Sequence, residues 1–135
     1  MVREDTTLHL KYVRYGGAFS INKKSKGMIE SLDYAAKLLD DPQNLVLIFP
    51  QGKLYSNFVN EINFEKGIMK VIQKAEGKFQ ILFATIFIQY FKHKKQSVTV
   101  YLKKEEYRGK SFEDFKNAYQ MHYDYTKLQQ TEIVI

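Results

Sequence analysis

Apolar positions along the first half of the chain predict a helix followed by a strand. Between residues 25 and 39 they recur every three or four positions, and Pro42 lies just beyond, so we expect an amphipathic helix that ends before the proline. Residues 45–49 then form a continuous apolar run bounded by Asn44 and Pro50. Such a run is typical of a strand covered on both faces of a parallel sheet, and we expect it to be central.

The second half repeats the alternation of helix and strand. Residues 51–63 are polar and predict a loop, and residues 64–75 predict a helix closed by Gly77. Two strands, 79–91 and 97–102, are expected to form a hairpin. Ser111 and Asp114 match a capping box that opens a last helix reaching Tyr123. The order predicts an α/β fold with a mixed, largely parallel central sheet flanked by helices, in one domain over residues 1–135.

Composition and charge narrow the function classes. The chain has 135 residues, is 44% apolar and contains no cysteine, which excludes disulfides and thiolate chemistry. Its three histidines show no zinc spacing, so we expect no metal site. The net charge of +6 favours an anionic partner: a phosphate ester, a nucleic acid or an acidic lipid headgroup. The longest apolar stretch is too short to span a bilayer and the first residues lack a signal-peptide core, which predicts a cytoplasmic protein.

Two segments are candidates for binding an anion. The first follows the expected central strand, where ligands of open α/β sheets bind: Gly52 permits a tight turn and Lys53 offers a cation. The second begins at Gly17 and leads through Ile21 to Lys23 and Lys24. On these residues alone, an ordinary turn and a solvated basic loop remain open as alternatives.

Together the two segments resemble the phospholipid and glycerol acyltransferase family. That family carries a Phe-Pro-Glu-Gly-Thr-Arg block after an apolar strand, a downstream Phe-x-x-Gly, and an earlier Gly-x-x-Phe-Ile-x-Arg block. A further strand of the family, often Val-Pro-Ile, falls near residues 81–88. The matching residues here are Phe49, Pro50, Gln51, Gly52 and Lys53 for the first, Phe64 and Gly67 for the second, and Gly17, Ile21 and Lys23 for the third.

The resemblance implies a function and a substrate-binding set. An acyl group would pass from a thioester of coenzyme A or acyl carrier protein to a glycerol phosphate or lysophospholipid, with no other cofactor. The acceptor's phosphate would be held by Lys23 or Lys24 and by Lys53, with Gln51 and Gly52 shaping the loop. Lys23 stands where the family has arginine, and Lys53 and Leu54 stand where it has threonine and arginine, so a phosphate would be held without arginine's planar fork. Peripheral contact with the inner face of an anionic membrane is a further expectation.

The family's first block, Asn-His-x-x-x-x-Asp, has no counterpart in this sequence. Its histidine removes the proton from the acceptor hydroxyl and its aspartate orients the ring. Five positions after His9, His93 and His122 stand Arg14, Val98 and Lys127. The resemblance therefore implies the C-terminal portion of a larger acyltransferase domain, without catalytic residues of its own and inactive alone.

Two alternatives to an acyltransferase fragment stay open. One is a non-catalytic relative that binds a partner or a membrane surface. The other is a nucleic-acid binding module, which the basic charge and abundant aromatic residues permit. The second is disfavoured because the lysines are dispersed and only three arginines occur.

Overall fold

The computed structural model describes residues 26–53, 55–76, 78–90, 94–107 and 109–131, which fall into two compact units. The first unit holds the described residues up to Gly52 together with Glu65–Phe79, and the second holds Lys53–Phe64 with the described residues from Gln80 onward. The elements in chain order are α1 (Lys26–Leu38), α2 (Gly67–Lys74), β1 (Ile81–Gln89), β2 (Ser97–Glu105) and α3 (Phe112–Thr131).

The first unit is a pair of helices packed through small and aliphatic side chains. Leu32, Ala35 and Ala36 of α1 meet Val71 of α2, and all four are buried. Alanine lets the two helix backbones approach closely, while leucine and valine fill the space between them. The apolar spacing that predicted α1 is thus confirmed, and α2 is the helix expected from residues 64–75, beginning three residues later.

Residues 45–49 do not form the buried central strand that their apolar run predicts. Val46 and Ile48 pack against the α1–α2 core, whereas Leu45 is 90% exposed and Leu47 is 68% exposed. The segment belongs to no strand. A continuous apolar run does not reveal whether one face or both will be covered, and here only one face is.

The second unit is built on an antiparallel hairpin. β1 pairs with β2 from Ile81 opposite Glu105 to Gln89 opposite Ser97, which confirms the predicted hairpin. In the described residues the sheet has these two strands, so the structure is mixed helix and strand and a large parallel sheet is not confirmed. Side chains alternate along β1: Phe83, Thr85 and Phe87 are buried, and their neighbours are not.

Helix α3 covers the buried face of the hairpin with aromatic side chains. Phe115 is 1% exposed, and its ring centroid lies 5.2 Å from that of Phe83 in an edge-to-face contact. Tyr119 lies 5.1 Å from the same ring and donates a hydrogen bond of 3.1 Å to the carbonyl of Ala84. Sheet and helix therefore share one aromatic core.

The start of α3 agrees with the sequence prediction, whereas its end lies further along the chain. At the start, the amide of Asp114 donates to the hydroxyl of Ser111 over 3.1 Å and the amide of Ser111 donates to the Asp114 carboxylate over 3.2 Å, which confirms the capping box. At the other end the helix continues past Tyr123 to Thr131, and these last turns bury Thr126 and Gln130, polar residues that an apolar pattern does not reveal. No described helix has both the length and the apolar character needed to cross a bilayer.

Candidate functional site

The Phe49–Gly52 segment is a tight turn at the edge of the first unit. The amide of Gly52 donates to the carbonyl of Phe49 at 3.4 Å, with Pro50 in the position where its fixed φ favours such a turn. Gly52 has φ of 64°, in the left-handed region that side chains with a Cβ rarely adopt. The glycine is therefore required by the backbone conformation of the turn itself.

A second backbone hydrogen bond connects this turn to the start of α2. The amide of Glu65 donates to the carbonyl of Pro50 over 2.7 Å. Helix α2 begins two residues later at Gly67, and a Cβ on Gly67 would lie 3.7 Å from the Leu32 side chain, an ordinary contact distance. Within the first unit, the Phe49–Gly52 turn is thus adjacent to the Glu65–Gly67 part of the Phe-x-x-Gly motif.

The start of α2 is electrostatically suited to an anion. Lys66 at its N-cap makes no side-chain capping hydrogen bond, and the first turn contains no acidic residue. The first amides of a helix point outward with a partial positive charge, and negative groups near them are stabilised. Lys53 follows Gly52 directly in the chain, is exposed, and makes no ion pair with any described residue.

The other predicted site residues divide into two sets. Pro50, Gln51 and Gly52 are half-buried in the turn, and Phe49 is 51% exposed. Gly17, Ile21, Lys23 and Lys24 lie outside the described residues, so their convergence on Gly52 stays a prediction.

Side chains of α3 hold the loop after Lys53, which no local sequence pattern indicates. Within the second unit, Tyr123 and Lys127 of α3 both donate to the carbonyl of Val59, over 2.8 and 2.9 Å. Gln120 accepts from the amide of Ile62 at 2.9 Å and donates to the carbonyl of Asn60 at 2.8 Å. These polar α3 residues look like solvated positions in the sequence, and nothing local marks them as partners of a loop 60 residues earlier. Residues 55–62 are therefore a strap fastened to α3.

Histidine 122 is an interior residue of the second unit. It is 6% exposed, and its Nε2 lies 3.3 Å from the carbonyl of Tyr101, to which it donates. The rings of Phe83 and Tyr119 flank it at 6.3 and 6.2 Å between centroids. Burial lowers its pKa, so the neutral imidazole is favoured. His9 and His93 lie outside the described residues.

No cluster of three histidine, cysteine, aspartate or glutamate residues able to hold a metal ion occurs among the residues the structure describes.

The comparison with known proteins identifies the family. A family model described as Acyltransferase matches residues 4–89, well over half of the 135-residue chain. The chain therefore belongs to the acyltransferase family. The matched region includes the turn, α2 and all of β1, while β2 and α3 lie beyond it. No curated protein and no solved structure matches the chain.

Two glycines of the site give a matched test of the turn. We expect Gly52→Ala to destabilise the first unit by about 1–2 kcal/mol, because alanine is strained at a left-handed φ. Gly67→Ala places a methyl group at ordinary contact distance from Leu32 in a helix, and is expected to be neutral or to stabilise by up to about 1 kcal/mol. Urea unfolding followed by far-UV circular dichroism measures both. A larger loss in Gly67→Ala than in Gly52→Ala would contradict this geometry.

His122 makes stability depend on pH. Its pKa in the folded protein is lowered from the ordinary 6.5 by burial, and Lys103 acts in the same direction, while the Tyr101 carbonyl and Glu105 oppose the shift. The unfolded chain then binds more protons as the pH falls, so the contribution is present above pH 6.5 and is lost below it. Urea unfolding from pH 8 to 5 should show a steeper loss for the natural chain than for His122→Gln, whose amide still donates to Tyr101. If the two proteins lose stability equally as the pH falls, the pH dependence does not come from His122.

Proposed function

We propose that this chain is part of an acyltransferase that moves an acyl group from a thioester to the hydroxyl of a glycerol phosphate or lysophospholipid. The observation that carries the proposal is the joining of the Phe49–Gly52 turn to the start of α2 by the Glu65 to Pro50 hydrogen bond. In the family these two blocks accompany phosphate-bearing acceptors. The family match supports acyl transfer in general. The identities of the acceptor and of the donor are our proposal.

The part of the proposed acceptor site that lies in the first unit has two features. The α2 N-terminus supplies partial positive charges, and left-handed Gly52 lets a phosphate approach the backbone without a Cβ in the way. The resemblance adds Lys53, the next residue in the chain, as a full charge. Lys23 or Lys24 would add a second cation. Because a lysine ammonium is a point charge, the site would hold a phosphate without selecting one orientation as strongly as arginine does.

Gln51 replaces the glutamate that the family usually carries in this block. A neutral amide beside Lys53 leaves more net positive charge for the phosphate than a carboxylate would. It also donates hydrogen bonds, which a carboxylate does not. We therefore expect the substitution to favour anion binding while removing whatever role the carboxylate has in the reaction.

The reaction needs a base that this sequence does not contain in the family's arrangement. The acceptor hydroxyl attacks the thioester carbonyl, loses its proton to the base, and the thiol leaves with a proton as the new ester forms. No histidine is followed five positions later by aspartate, and His122 is buried and hydrogen-bonded to a backbone carbonyl. This favours, as the second candidate, a non-catalytic family member that binds without turnover.

Phosphate binding is tested by Lys53→Ala. A charge-assisted hydrogen bond contributes about 1.5–3 kcal/mol, and because Lys53 is exposed we expect the lower end, about tenfold weaker binding of glycerol 3-phosphate in calorimetry. Lys37→Ala is the matched control, since it removes the same charge from an exposed position on α1. Equal affinities of the two variants would reject Lys53 as a ligand of the phosphate.

Turnover is tested by thioester consumption in the presence of glycerol 3-phosphate. A general base contributes about 10²–10⁴-fold, so the 135-residue chain should show no acyl transfer above background. Adding an upstream Asn-His-x-x-x-x-Asp segment from an active family member should restore transfer, and changing that histidine to alanine should abolish it. Robust turnover by the chain alone would refute the missing-base argument. Failure of the hybrid, with binding retained, would favour the non-catalytic alternative.

A further inference from the structure

One face of α3 holds the strap through a row of polar side chains. Their spacing places them in line along the helix, and each contacts the strap; we call them the polar stripe, which consists of Lys116, Gln120, Tyr123 and Lys127. Lys116 pairs with Glu61 at 3.1 Å, and Lys127, seven residues beyond Gln120, donates to the amide oxygen of Asn60 at 2.9 Å. Strap and helix therefore run in opposite directions over these contacts.

The strap is also anchored in the interior of the second unit. Ile62 is 3% exposed and packs in one cluster with Phe87 and Tyr123. The strap contains no helix or strand, so its backbone groups depend on side chains for their hydrogen bonds, and Gln120 and Tyr123 of the stripe supply them. The backbone of residues 59–62 is therefore fixed on α3.

A short tether connects the strap to Lys53. Lys53 is the first residue of the second unit, and Asn57 stands four positions later. The side chain of Asn57 donates to the carbonyl of Ile88 at 2.7 Å, which ties this end of the strap to β1. Four residues of fully extended chain span at most about 14 Å. The strap therefore limits where the backbone of Lys53 can lie within its unit.

We propose that the polar stripe of α3 positions Lys53 for the acceptor's phosphate by fixing the strap. The inference rests on the proposed function, because it takes Lys53 as a ligand of that phosphate. A lysine on a free loop has to be ordered when the ligand binds, and fixing one backbone residue beforehand raises the affinity about fivefold or more. Helix α3 lies beyond residues 4–89, so this contribution comes from outside the range that the family model matches. The stripe acts through Lys53 without touching the acceptor.

The experiment is calorimetric titration of the full 135-residue chain with glycerol 3-phosphate. Tyr123→Phe with Lys127→Met removes both donors to the Val59 carbonyl and should weaken binding about fivefold. Tyr101→Phe with Lys103→Met is the matched control, because it removes the same two groups from β2 and leaves the strap contacts in place. The control should bind as the natural chain does. Lys127→Arg, which keeps the charge and the donors, should also retain the natural affinity.

The same double change in a Lys53→Ala chain separates positioning from general stabilisation of the fold. If the strap acts through Lys53, Tyr123→Phe with Lys127→Met should weaken binding there by about twofold at most. Equal losses in the two backgrounds would overturn the proposal, and so would unchanged binding in a protein that Lys53→Ala weakens. If Lys53→Ala itself leaves the affinity unchanged, the assignment of Lys53 to the phosphate fails first, and the positioning role fails with it.

Asn57→Ala keeps the proposal testable if the double variant does not fold. It removes the single hydrogen bond to the Ile88 carbonyl, at the end of the strap nearer to Lys53. We expect binding about fivefold weaker in the natural background, and a much smaller loss in the Lys53→Ala chain. Near-UV circular dichroism checks the fold of every variant. Natural affinity in a folded Asn57→Ala chain would count against the positioning role.

Discussion

The packing of α3 against one face of the β1–β2 hairpin is the interaction on which the second unit depends. A hairpin of two strands is marginal in water, and Phe83 and Phe87 bury their rings only because Phe115, Tyr119 and Tyr123 cover them. The same helix also fastens the strap through Gln120 and Lys127. Loss of the helix would therefore expose the aromatic core and release the loop that follows the Phe49–Gly52 turn in the chain.

The first unit shows how a short sequence block becomes a potential site. Neither the turn nor the α2 N-terminus would be distinctive alone, because turns after extended segments and uncapped helix starts are common. The hydrogen bond between Glu65 and Pro50 places them side by side, and both lie in the range that the family model matches. In the turn block this chain has glutamine at 51, lysine at 53 and leucine at 54 where the family has glutamate, threonine and arginine, so the charges of this block differ from the family's.

Elements with strong local signals were predicted correctly. The spacing of Leu32, Ala35 and Ala36 predicts α1, alternation predicts the hairpin, and Ser111 with Asp114 predicts where α3 begins. Each of these signals depends on residues a few positions apart, so interactions within the local sequence already favour the element that forms. The family resemblance also came from local blocks, and the family match confirms it.

Local sequence patterns were enough to predict the family, most of the helices and strands, and the glycine that the turn requires. They could not show that residues 45–49 are covered on one side, that Thr126 and Gln130 are interior, or that α3 holds the strap. The reason is that burial depends on what packs against a segment, and those partners stand far away in the chain. A hydrogen bond joins Tyr123 to Val59 across 64 positions, and nothing in the sequence around either residue indicates the other.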